Sequence, residues 1–181
     1  MKKVLRLSTA VLALGAGSLT LMSSWNGPGV GASGSPAEGG TTCANAYCHG
    51  GTANTGSGSV TITPPSAYAA GNTYTVSVKV SDPSSSKFGF QAVALDADHN
   101  PAGTFTANGS TRILKTGTAS YIEHNGNDFT GSYSFQWKAP TSNVGDITFY
   151  VAGNATNGDG KTSGDKVYTS TAKSRRCHSG F

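Results

Sequence analysis

Charge is scarce in this sequence of 181 residues: Asp, Glu, Lys and Arg together make up 12% of it. So few charges, with so much Gly, Ser, Thr and Asn, do not suit a cytosolic helical enzyme; this is the composition of a small exported β protein. Long apolar runs are also missing. The longest, from Val11 to Met22, is broken by Gly15 and Gly17 and falls short of the roughly 20 residues that span a bilayer. Methionine is confined to Met1 and Met22. No nucleophile elbow or paired-carboxylate signature stands out, which argues against bond-making catalysis. An excess of one charge is lacking as well. Without Lys2, Lys3 and Arg6, the 13 basic residues fall to 10 against 9 acidic ones, so nothing attracts nucleic acid or an anionic membrane. The length admits one well-buried domain and not two comfortable ones.

Lys2, Lys3 and Arg6, followed by the short apolar run, read as an export signal over residues 1–24, with cleavage near Ser23 or Ser24. The expected location is therefore periplasmic, cell-surface or extracellular. Residues 25–42 are rich in Gly, Ser, Pro and Ala and form a flexible lead-in.

The most distinctive stretch is Cys43-Ala44-Asn45-Ala46-Tyr47-Cys48-His49. Two cysteines followed at once by a histidine is the pattern of covalent haem attachment: the thiols add to the vinyl groups and the adjacent imidazole ligates iron. Four residues separate the cysteines where two are usual. Two other readings stay open, a local Cys43–Cys48 disulfide suited to an exported chain and a zinc or copper site with a distant histidine. Residues 43–58 form the haem-attachment segment, and the Gly/Thr/Ser/Asn stretch within it needs a surface to pack on, which a haem would supply.

A period of two begins at Ser59. Val60 and Ile62 alternate with polar residues, as do Tyr74, Val76, Val78 and Val80, the mark of half-buried strands. Phe88, Phe90 and Ala92 continue it, with a phase shift towards Val93 and Leu95. Tyr133, Phe135 and Trp137 form another set, Ile147, Phe149 and Val151 a third, and Val167-Tyr168 a last short one. Weaker strands fall at Gly103–Thr106, Ile113–Lys115 and Ser120–Glu123. Seven to nine short strands and no convincing helical period predict an all-β, antiparallel sandwich over residues 59–170, followed by a tail over 171–181.

Further motifs carry a family resemblance. They are Gly34-Ser35-Pro36 before the cysteines, Tyr121-Ile122-Glu123-His124, Phe135-Gln136-Trp137-Lys138-Ala139-Pro140 and Phe149-Tyr150-Val151-Ala152-Gly153-Asn154-Ala155. Asn157-Gly158-Asp159-Gly160 and Gly164-Asp165-Lys166-Val167-Tyr168-Thr169 complete the set. Over about residues 34–170 the chain resembles the choice-of-anchor V domain family of exported bacterial proteins, which are similar to the reeler domain. The resemblance implies an immunoglobulin-like (reeler-like) sandwich with an irregular N-terminal haem-binding segment. The family commonly carries Cys-x-x-Cys-His where this chain has the longer spacing.

With both methionines in the leader, a sixth iron ligand must be a histidine: His99, His124 or His178. His124 is the choice, because it lies in a polar loop just past a strand. His99 sits in Asp96-Ala97-Asp98-His99-Asn100-Pro101, most simply a turn. Cys177-His178 is open to several readings: a one-thioether haem site, a free thiol, an intermolecular disulfide, or a His178 ligand in a neighbouring subunit of an oligomer or filament. The expected function is that of a monohaem c-type cytochrome. In it Cys43 and Cys48 hold haem c, His49 and His124 are the iron ligands, and redox proteins or extracellular electron acceptors are the partners. The rival is a haem-free extracellular reeler-like binding or adhesion module with a Cys43–Cys48 disulfide.

Overall fold

Alternation of apolar and polar side chains closes this fold. The computed structural model of the chain describes residues 27–44, 48–126 and 128–177. In chain order its strands are β1 (Ser59–Thr63), β2 (Ala67–Tyr68), β3 (Thr73–Ser81), β4 (Lys87–Leu95) and β5 (Thr104–Thr106). After these come β6 (Thr111–Thr116), β7 (Ala119–His124), β8 (Ser132–Lys138), β9 (Ile147–Thr156) and β10 (Lys166–Arg176). One sheet has four strands in the order β1-β3-β8-β5 and the other six in the order β2-β10-β9-β4-β7-β6. All pairings are antiparallel except that of β10 with β2. The expected all-β sandwich is observed.

β1 and β8 bury every second residue along their whole length, and β3 does so from Val76 onward, so each turns one face to water and one to the other sheet. Val76, Val78, Phe135 and Trp137 meet Phe90, Ile122, Phe149 and Val151 across the interior. Trp137 is wholly buried. Its ring stands edge-on to Phe149 with centroids 5.0 Å apart, and its indole N–H donates to the Ala102 carbonyl at 3.0 Å, which removes the cost of burying a polar atom.

β4 shows no phase shift. It is one continuous strand, buried at every position from Gly89 to Leu95. Phe90, Ala92 and Ala94 join the core between the sheets, whereas Val93 and Leu95 join a separate apolar cluster with Tyr121. Both faces of a central strand are covered here, so the period of two disappears from its apolar content. β10 is far longer than the dipeptide Val167-Tyr168 suggests: nine of its residues pair with β9, from Lys166↔Ala155 to Ser174↔Ile147. Its second half is mostly polar, so backbone pairing and not apolar patterning holds it.

The outer face of the six-stranded sheet is covered by residues 27–42. These offer few apolar side chains and are fixed by hydrogen bonds. Gln91 accepts the Ala32 N–H at 2.7 Å and donates to the Gly29 carbonyl at 3.0 Å and to Glu123 at 2.9 Å. Arg112 donates to the other Glu123 oxygen at 2.6 Å. Burial raises the Glu123 pKa, against the opposing effects of Gln91 and Arg112. Gly27, at φ +93°, lies so close that a Cβ there would stand 2.7 Å from Glu123, so the backbone reaches this carboxylate only as glycine. Among the described residues no helix is long and apolar enough to cross a membrane.

Candidate functional site

Beside this polar seam, a cavity of about 280 Å³ opens between Cys43, Cys48 and His49 and the adjoining parts of β4, β7 and β9. Phe88, Phe90, Phe129 and Ala152 form its apolar wall, and Lys87 and Lys161 also line it. The four residues singled out by spacing, Cys43, Cys48, His49 and His124, all line this one cavity, so the fold brings them together. His99 does not join them: it is exposed, in the left-handed region at φ +63°, in a turn closed by Asp96 accepting the N–H groups of Asp98 and Asn100. His178 lies outside the described residues, as does residues 1–24, the predicted leader. Cys177 is exposed, and its N–H donates to the Tyr68 carbonyl.

Cys43 and Cys48 are separate thiols here. The His49 N–H donates to the Cys43 carbonyl at 3.0 Å. Cys43 is buried and Cys48 exposed. Burial, and then the charge of Cys48, push the Cys43 thiol up to about 12, so Cys43 stays protonated and a poor nucleophile.

His49 is held from both sides. Its Nδ1–H donates to Asp165 at 2.7 Å, and its Nε2 accepts the Asn154 amide at 2.9 Å. Asp165 is buried and also accepts the Asn157 N–H at 3.1 Å. Asn154 lies on β9 opposite Val167 of β10, so one strand pair delivers both clamps. The remaining Asn154 atom, Oδ1, is buried without a hydrogen-bond partner among the described residues.

His124 ends the β4–β7 ladder. Main-chain pairing of those strands covers only Gln91↔Glu123 and Ala92↔Ile122. Beyond it, the His124 imidazole accepts the Phe90 N–H at 3.2 Å, taking the place of a strand carbonyl. The same ring nitrogen, Nδ1, lies 3.4 Å from the Phe90 carbonyl oxygen, and burial lowers the His124 pKa. Gly89 makes room for it, since a Cβ at that position would come within 2.6 Å of the imidazole.

The segment 50–58 needs no cofactor to pack against. The Asn54 N–H donates to the Val167 carbonyl at 2.8 Å and its side chain exchanges two bonds with Thr169. The Tyr168 hydroxyl accepts the Gly58 N–H at 3.0 Å and donates in turn to buried Asp82. Asp165 and Asn154 stand in motifs of the family resemblance, and Asp165, with Asn157–Gly160, reads from sequence as a weak calcium motif or simply a turn. Nothing in the sequence ties either residue to His49; the β9–β10 register carries them there.

Comparison with known proteins gives a consistent result. The Reeler domain family model matches residues 41–155. Among solved structures, the human F-spondin reeler domain superposes with a TM-score of 0.54 at 18% identity, covering 70% of this chain and 94% of that one. The Reelin-N domain of F-spondin gives a TM-score of 0.53 at 19% identity, covering 71% and 93%. At such identities the likeness shows the fold alone. No curated protein matches the sequence.

These findings overturn the cytochrome reading, and with it haem, iron and electron transfer as descriptions of this chain. The matched model and the superposed structures are reeler domains. No three His, Cys, Asp or Glu side chains among the described residues come together as a metal-holding set. The donors of His49 do not fit the expected iron site, because both its ring nitrogens are engaged, Nδ1 by Asp165 and Nε2 by Asn154.

Proposed function

Because this chain belongs to the Reeler domain family, we propose that it is a haem-free binding module that works outside the cytoplasm. It acts by contact and not by bond-making catalysis. Within the family it sits with the choice-of-anchor V proteins of exported bacterial origin, on the motifs around Phe135–Pro140 and Phe149–Ala155. Its binding site is the cavity walled by Phe88, Phe90 and Phe129. The observation that carries the reading is the double clamp on His49 by Asp165 and Asn154, which makes the imidazole a fixed wall of the site and leaves neither ring nitrogen for a metal. A polar group aimed at that wall and an apolar floor are what small-molecule sites share.

The test is the chain exported with its own leader from a bacterial host that matures c-type cytochromes. Intact mass should equal the leader-free polypeptide, and the protein should show no Soret absorbance after acid–acetone extraction. Covalently retained haem would overturn the reading.

A further inference from the structure

We propose that the cavity beside His49 binds a small aromatic acid, with the ring against the phenylalanine wall and the acid group at the lysine rim. This rests on the reading of the site as a ligand pocket without haem. Two observations carry it. The first is shape and surface: Phe88, Phe90 and Phe129 line a cavity of about 280 Å³. Phe88 and Phe129 are half-buried and offer their rings to a ligand, whereas the Phe90 ring packs on Tyr133 and Phe135 in the core. Aromatic rings prefer offset or edge-on partners, and a cavity near 300 Å³ suits a ligand of about two fused rings.

The second is charge. Lys87 and Lys161 line the cavity, and the Lys87 ammonium stands 5.5 Å from the Phe129 ring centre, so a cation adjoins the aromatic wall. The one acid among the lining residues, Asp165, is already held by the His49 N–H and the Asn157 N–H. An anionic substituent therefore meets cations and no free carboxylate of the lining. The neighbouring carboxylates also have partners: Glu123 is held by Arg112 and Gln91, Asp128 by the N–H and hydroxyl of Thr130, and Asp159 by the Lys161 main-chain N–H.

The probe is anilinonaphthalene sulfonate, an aromatic anion with an N–H, compared with neutral phenylnaphthylamine by fluorescence titration of the full exported chain. One anionic probe should bind per chain, tighter than the neutral one. Lys161→Gln, an exposed change, should weaken the anion by about fivefold and the neutral probe by less than about twofold. Lys87→Gln should act in the same direction. In proton spectra the imidazole signals of His49 and His124 should move on titration while that of His99 stays put. Binding that leaves His49 and His124 unmoved, or that ignores both lysine changes, would overturn the proposal, as would no binding to a protein shown to be folded by its unfolding transition. Haem found on the isolated protein would instead overturn the functional reading on which it rests.

Discussion

Between the two sheets, Val76, Phe149 and Trp137 are wholly buried among apolar neighbours. On the outer face of β4 and β7, Gln91 and Glu123 are buried just as completely, yet each of their side-chain oxygens and nitrogens has a partner. The first region is held by an effect that is non-directional and scales with area. The second depends on a few directional bonds, any of which leaves a stranded polar group when removed. The apolar interior should tolerate shape-conserving change; the polar seam should tolerate almost none.

The largest effect should come from emptying the interior. Trp137→Ala should destabilise the sandwich by ~3–5 kcal/mol, read from urea unfolding, and the loss should be global. A loss below about 1 kcal/mol would mean that Trp137 does not anchor the core. In the seam, Glu123→Ala strands Arg112 and Gln91 and should cost ~2–3 kcal/mol. The distinguishing readout is place: limited proteolysis should cut residues 27–42 of the variant much faster, while the sandwich still unfolds in one cooperative step. Equal protection of that segment in both proteins would show that the seam does not hold it.

A third comparison uses pH. The Ser84 hydroxyl and N–H and the Tyr168 hydroxyl bind the Asp82 carboxylate and lower its pKa from 3.8 to about 2. A folded pKa below the unfolded one gives stability that is complete above 3.8 and lost as pH falls through about 2. Stability should thus rise with pH across that interval, and Asp82→Asn should flatten the rise; denaturant midpoints at a series of pH values measure both. The smallest effect concerns the thiols. In Cys177→Ser protein, Cys48 should react promptly with a disulfide reagent, and Cys43 only once the chain unfolds. If neither thiol reacts, the two are joined as the disulfide that the sequence left open.

The contrast between the regions also explains which parts were readable. β1, β3, β8 and β9 declare themselves because one-sided burial imposes a period of two on Val60 and Ile62, on Val76 to Val80, on Tyr133 to Trp137, and on Ile147 to Val151. β4 hides its continuity because both its faces are covered, and β10 hides its length because pairing with β9, not apolar content, sustains it. Cys43, Cys48, His49 and His124 stood out by residue type and spacing, and one cavity does collect them. Their chemistry was misjudged, since nothing local reveals that Asp165 and Asn154 engage His49 from 116 and 105 residues away.

From residue types and their alternation alone came the β class, the approximate strand positions and the set of residues that meet at the cavity, because side-chain burial is a local periodicity written along each strand. Which partners those residues take was decided only when the β9–β10 register placed Asn154 and Asp165 beside His49. The end of the β4–β7 ladder likewise put His124 against the Phe90 N–H. Hydrogen bonds act over about 3 Å in space and carry no signature along the chain, so the same Cys and His residues that spacing alone assigned to iron are, in the folded molecule, the walls of a pocket.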